Sequence, residues 1–166
     1  KEAKNLSSMY TLADILNDKC ETLDIRGVAH KGFFASITDF PSYYAANMAL
    51  LNYKSAQELF HDNWPIYTRT NDSCPTQYFN TADVKNSVIS NGCQIEGTVE
   101  NSVIGRGCVI KKGAVVRNSV VLAEVTIGEG VHVENEVVDK WAKLIHKKEI
   151  VSPAENPGYI KREDTL

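Results

Sequence analysis

Hydrophobic positions in the second half of the chain recur with a period that neither a helix nor an ordinary strand uses. Aliphatic residues fall at Ile104, Ile110 and Val116, then at Val121, Ile127 and Val133. Four positions after each stands a small or branched residue: Cys108, Ala114, Val120, then Val125, Val131 and Val137. A helix needs apolar spacings of three and four, and a half-buried strand needs two. A period of six predicts a parallel β-helix, with short flat faces, tight corners and one aliphatic side chain per face pointing inward. Glycines at 92, 97, 105, 107, 113, 128 and 130 fall where such corners bend, and Gly supplies φ > 0 without steric cost.

A coarser repeat lies over this one. Val84–Ile89, Val99–Ile104 and Val116–Val121 read V-K-N-S-V-I, V-E-N-S-V-I and V-R-N-S-V-V, with starts 15 and 17 residues apart. A partial further copy runs from Ile127 to Val133. Self-similarity at a fixed period marks a solenoid, whose units bury their apolar faces only against their neighbours. The expected fold is therefore mostly β, with residues 76–166 forming a left-handed parallel β-helix and a C-terminal tail. The expected inner ladder is Ile89, Ile95, Ile104, Ile110, Val121 and Ile127.

Residues 1–75 carry different patterns. Apolar positions at Met9, Leu12, Ala13, Ile15 and Leu16 after Ser7-Ser8 predict an amphipathic helix. Leu23–Ala29 and Gly32–Ile37 read as strands. Thr38 or Asp39 is positioned to cap a helix with Pro41 in its first turn and Ala45, Met48, Ala49 and Leu51 on its packed face. Ser55–Phe60 reads as a short helix, Trp64–Thr68 as extended, and Asn71–Pro75 as a loop. Two strands make an incomplete α/β sheet with an exposed edge. With a chain that opens on Lys1-Glu2 rather than Met, this is expected of a piece of a longer protein.

Composition narrows the function classes. At 166 residues, the chain is long enough to bury roughly 70% of its unfolded surface. A net charge of −3 offers no electrostatic footprint for nucleic acid. No apolar run approaches the ~18 residues of a membrane span, and no signal peptide is visible, so the cytosol is expected. The cysteines, at 20, 74, 93 and 108, have no metal-ligand spacing. Cys93 and Cys108 occupy the same place in successive repeats and read as small, buried, reduced residues.

Candidate chemistry is sparse. No Gly-rich phosphate loop, G-x-S-x-G or H-E-x-x-H occurs. His132, between Val131 and Val133, is turned outward by alternation; it is either a solvated surface residue or the general base of a β-helix acyltransferase. Arg106, Lys111, Lys112 and Arg117 cluster along one coil. They form either a solvated charged face or an anion site, since Arg offers bidentate contacts to phosphate.

A resemblance adds to this reading. Gly32-Phe33-Phe34, the run Ser42-Tyr43-Tyr44-Ala45-Ala46-Asn47-Met48-Ala49-Leu50-Leu51, Trp64-Pro65-Ile66-Tyr67-Thr68 and the repeat Asn86-Ser87-Val88-Ile89 resemble the C-terminal portion of bacterial ADP-glucose pyrophosphorylase (glucose-1-phosphate adenylyltransferase). The resemblance covers most of residues 23–138. It implies that 1–75 belong to a nucleotidyltransferase-like α/β domain and its linker, and that the protein works in glycogen synthesis. The family uses Mg²⁺, and its catalytic members read G-Y-W-x-D-x-G-T where this chain has Gly32–Asp39. Ser36 thus replaces the family's metal-binding Asp, and a hydroxyl is a poor ligand for a hard cation beside a carboxylate. The resemblance is therefore to the non-catalytic, GlgD-type subunit, with no catalytic residue and no cofactor in this stretch. The implied partners are a catalytic subunit or further copies of the protein, with Arg106, Lys111, Lys112 and Arg117 as candidate contacts to an anionic effector. The alternatives are an active sugar-1-phosphate nucleotidyltransferase, an acyltransferase using His132, and a translation-factor subunit of similar plan.

Overall fold

The structure is a computed structural model in which residues 11–60, 65–67 and 72–166 are described. The chain divides into two units, Lys1–Lys31 and Gly32–Leu166. In the first, α1 spans Leu12–Asp18. Its N-cap is Thr11, in a capping box with Asp14: the Asp14 N–H donates to Thr11 Oγ1 at 3.3 Å, and Thr11 N–H to Asp14 Oδ2 at 2.8 Å. The Ser7-Ser8 caps expected from sequence lie outside the described residues. Leu23–Ala29 is extended but has no strand partner among the described residues, so the alternation there does not mark a strand.

In the second unit, fifteen short strands build three parallel sheets, one for each side of a triangular coil. The first sheet stacks β1 (Gln77–Tyr78), β4 (Gln94–Ile95), β7 (Val109–Ile110), β10 (Thr126–Ile127) and β13 (Lys143–Leu144). The second stacks β2 (Asp83–Lys85), β5 (Thr98–Glu100), β8 (Val115–Arg117), β11 (His132–Glu134) and β14 (Glu149–Val151). The third stacks β3 (Val88–Ile89), β6 (Val103–Ile104), β9 (Val120–Val121), β12 (Glu136–Val138) and β15 (Gly158–Ile160). This is a parallel β-helix.

Its interior is the expected ladder carried further. Ile95, Ile110, Ile127 and Leu144 line the first side; Val99, Val116, Val133 and Ile150 the second; Ile104, Val121, Val138 and Ile160 the third; all are buried. Ile89, in the first coil, is half-buried against that core. The turn-rich tail is no mere tail, because Val138, Leu144 and Ile150 keep the six-residue period and form another coil. Thr165 then bridges to Lys143, and Leu166 packs against the core beyond it.

One corner departs from the simple period. Between the second and third sheets the repeat is a residue short, so Val120 and Val137 do not take the inward corner place that a constant spacing assigns them. That place belongs to Ser102, Ser119 and Glu136, all buried. Val120 neighbours Val121, which is in the core cluster, so alternation turns it to the outer face. It is nonetheless buried, because α2 (Phe40–Ala49) packs on the outside of β9.

That helix forms where its caps dictate. Asp39 is the N-cap, accepting from Ser42 N–H at 2.8 Å while Ser42 Oγ accepts from Asp39 N–H at 3.0 Å, and Pro41 sits in the first turn. The Tyr44 hydroxyl donates to the Asn118 carbonyl at 2.5 Å, and the Phe40 ring meets Tyr159 edge-on at 5.9 Å. A shorter helix, α3 (Tyr53–Leu59), follows, capped by Asn52. Gly32–Ile37, expected as a strand, has no regular structure. Its parallel partners would have to come from another sheet, and the described residues offer none outside the solenoid.

The ladder makes a direct energetic prediction. Ile110 is fully buried between coils with no room to collapse, so Ile110→Ala is expected to cost ~2–5 kcal/mol of unfolding free energy by chemical denaturation. A loss below about half a kcal/mol, the range of an ordinary surface change, would refute the inward register.

Candidate functional site

The short corner is the most chemically ordered part of the molecule. Asn86, Asn101, Asn118 and Asn135 occupy it in successive coils with φ of 42°, 50°, 44° and 56°. Asn tolerates this left-handed region better than other side chains do. The amides interlock: Asn86 Nδ2 donates to Asn101 Oδ1 and Asn101 Nδ2 to Asn118 Oδ1, both at 2.7 Å. One residue further on, Ser87, Ser102 and Ser119 each donate Oγ–H to the carbonyl two residues back. Each also accepts the N–H of the next coil at 3.1 Å. Sequence comparison of the repeats exposes the Asn-Ser pair but not this role.

Outside this corner runs a groove of about 590 Å³ lined by Lys85, Asn86, Glu100, Asn101, Arg117 and Asn118. Register stacks Lys85, Glu100, Arg117 and Glu134 in one column, so charges of opposite sign alternate along it. Arg117 Nε lies 3.2 Å from Glu100 Oε2, which engages this guanidinium within the protein.

The four basic residues singled out in sequence do not share one patch. Arg106 follows β6 at the corner between the third and first sheets. Lys111 and Lys112 lie at the next corner, after β7, and Arg117 ends β8 near the Asn corner. Lys111 faces Glu96 at 3.7 Å. Closeness in sequence spreads around a three-sided coil, because each side uses only a few residues before the chain turns.

His132 sits on the outer face of the second sheet, between the buried Val131 and Val133. Its Nε2 lies 3.2 Å from Glu134 Oε2, without the alignment of a hydrogen bond. Ser36 lies in the exposed irregular segment before α2, and the nearest carboxylate in sequence, Asp39, is committed to the helix cap. The Ser42 N–H and hydroxyl hold Asp39 below the usual carboxylate range. Among the described residues no three His, Cys, Asp or Glu side chains gather to hold a metal ion, and no helix is long and apolar enough to cross a membrane.

Two buried groups carry chemistry of their own. Cys93 and Cys108 stack in the first corner, buried, with Sγ donating to the carbonyls of Gly105 and Leu122 at 3.1 and 3.0 Å. The neighbouring Cys93 and burial push the Cys108 thiol above its ordinary range. Glu136 takes the place serine holds in the earlier coils; its Oε1 accepts from Ser152 Oγ at 2.6 Å, and a Cβ at Gly158 would fall on its carboxylate. Burial raises its pKa, against the lowering effects of Ser152 and Lys147.

A stacked hexapeptide solenoid of this kind defines a class, the hexapeptide-repeat β-helix proteins, and the family described as "GlmU-like, C-terminal hexapeptide" matches residues 75–156. The chain is 36% identical over 108 residues to the glucose-1-phosphate adenylyltransferase of Fervidobacterium nodosum, covering 65% of this chain and 26% of that protein. It is 31% identical over 152 residues to the glycogen biosynthesis protein GlgD of Bacillus subtilis, covering 92% of this chain and 44% of that protein. GlgD of Geobacillus stearothermophilus is 38% identical over 107 residues, 64% of this chain and 31% of that protein. The chain belongs to the ADP-glucose pyrophosphorylase family and is of GlgD type. It spans less than half the length of each of these relatives.

Burial divides the thiols into two classes. Cys20 and Cys74 are exposed while Cys93 and Cys108 are enclosed, so a thiol reagent should label two groups rapidly in the native protein and all four in denaturant. Rapid native labelling of Cys93 or Cys108, read by peptide mapping, would contradict the packing.

Glu136 supplies a pH dependence. A carboxyl whose folded pKa is raised stabilises the fold fully below its unfolded value, near 4.5, and that contribution is lost as pH rises through the folded value. Glu136→Gln should therefore be more stable than wild type at neutral pH, with the gap closing towards pH 4.5. Urea midpoints with a gap that is constant across pH would overturn this.

Proposed function

We propose that this protein is a regulatory and assembly component of glucose-1-phosphate adenylyltransferase in glycogen biosynthesis, working in the cytoplasm, and does not itself transfer the adenylyl group. The observation that carries the reading is Ser36, where catalytic relatives are expected to have a carboxylate. The donors present do not fit Mg²⁺: a hard cation needs several oxygens, carboxylates above all, and this segment offers a hydroxyl while Asp39 is spent on its helix cap. No adenylyl-transfer step is therefore derived through the metal.

In this reading the solenoid is the rigid part. Its partner is a catalytic subunit or another copy of the same protein. An anionic effector is met by the basic residues Arg106, Lys111, Lys112 and Arg117 singly rather than as one cluster, with Arg117 beside Lys85 in the groove at the Asn corner. α2 links the Ser36 segment to the coils through Tyr44 and Asn118.

The test is pyrophosphate release from ATP and glucose 1-phosphate, using the protein expressed from its complete coding sequence. Alone it should be inactive, and Ser36→Asp should leave it inactive, since catalytic groups even ~1 Å out of place can lose ~100-fold in rate. Mixed with a catalytic glucose-1-phosphate adenylyltransferase of the same cell, it should change turnover or effector response. Robust turnover alone would overturn the non-catalytic assignment, and no effect on the partner would overturn the regulatory one.

A further inference from the structure

The corner between the third and first sheets has a left-handed residue in each coil: Gly92, Gly107, Glu124, Trp141 and Glu163, with φ of 80°, 66°, 63°, 61° and 62°. Backbone bonds tie the column together, from Gly107 N–H to Asn91 O, Glu124 to Arg106, Trp141 to Ala123 and Glu163 to Lys140. Glycine, used in the early coils, fits this conformation without strain. A tryptophan is among the least suited residues, because a bulky side chain at positive φ is a genuine outlier. Such residues concentrate at functional sites, where surrounding structure holds them in place.

Core packing does not account for Trp141. Its neighbour Ala142 fills the inward position, and Trp141 remains 42% exposed. With Lys143, Arg162, Glu163 and Thr165 it lines a cleft of about 430 Å³, within the ~300–1,000 Å³ range of small-molecule sites. The Arg162 guanidinium lies 4.2 Å from the centre of the Trp141 ring, a cation–π contact, and Arg162 Nε lies 3.4 Å from Glu163 Oε1.

We propose that this cleft binds a linear glucan, a pyranose ring packing its C–H face against the indole of Trp141 while its hydroxyls bond to Lys143, Arg162, Glu163 and Thr165. The negative face of an aromatic ring attracts the weakly positive C–H groups of a sugar. Hydroxyls both donate and accept, so a neutral sugar satisfies the two cations, the carboxylate and the threonine together. A phosphate offers acceptors only and would meet the Glu163 carboxylate. An apolar ligand would strip water from three charged groups without replacing it. The choice of a glucan among saccharides rests on the glycogen reading above; the stacking site does not.

The experiment is calorimetric titration of the whole chain with maltoheptaose, cellohexaose, ADP and inorganic phosphate. Maltoheptaose should bind saturably to wild type. Trp141→Gly suits the left-handed corner, so it should hold or raise the urea midpoint while weakening sugar binding at least ~10-fold, about 1.4 kcal/mol. Arg162→Ala should weaken it in the same direction. Binding of cellohexaose alone would keep the glucan site and detach it from glycogen. The proposal falls if neither sugar binds at about 10 mM, weaker than a millimolar site, if Trp141→Gly binds sugar like wild type, or if only ADP or phosphate binds. Glucan binding with no effect on a catalytic adenylyltransferase would retain this site and remove the regulatory function. The reverse pair of results would remove the site alone.

Discussion

Every coil of this protein must hand its backbone to the next in register, and the Asn-Ser corner is where that condition is hardest to meet. One side of the coil is a residue short, so the chain has to turn sharply there. A left-handed residue makes the turn, at a cost of about 1–2 kcal/mol for an ordinary side chain and less for asparagine. The amides of Asn86, Asn101 and Asn118 offset that cost by bonding one another. Each serine hydroxyl then serves two coils at once, closing its own turn and accepting the N–H above. Net hydrogen bonds contribute only ~1 kcal/mol each, but leaving those groups buried and unpaired would cost more. The inward ladder of Ile and Val depends on this corner, because a one-residue slip would turn the ladder to the opposite face of the sheet.

Departures from that pattern sit in the later coils. Glu136 replaces serine at the inner corner, and the next turn has to accommodate a carboxylate with Ser152 and with the bare Cα of Gly158. Trp141 replaces glycine in the neighbouring left-handed column. The early coils are therefore near-copies of one another, while the late coils carry the irregular chemistry.

What was legible in the sequence follows from whether a signal was local or repeated. Ile104, Ile110 and Ile127 announce themselves by period, and Asp39-Phe40-Pro41 by cap chemistry, because those forces act within a few residues. Leu23–Ala29 alternates as a strand would, yet alternation says nothing about a pairing partner, which comes from elsewhere in the chain. Val120 and Val137 were misplaced because the six-residue period was carried across a five-residue side. Arg106, Lys111, Lys112 and Arg117 looked clustered because sequence distance was read as spatial distance, and a three-sided coil separates the two. Glu136 and Trp141 gave no signal of their own; only their columns, visible after stacking, make them unusual.

The bond from Tyr44 to the carbonyl of Asn118 ties α2 to one particular coil. A solenoid can ordinarily gain or lose a whole turn at little cost, since each turn sees only its neighbours. Here the turns between β1 and Asn118 are counted by the connection that leads from the helix into the first strand. A turn inserted in that interval would carry the docking carbonyl away from the hydroxyl that binds it, and one inserted after Trp141 would not. The helix thus acts as a ruler, and inherited changes in the number of turns have free scope only on the far side of its mark.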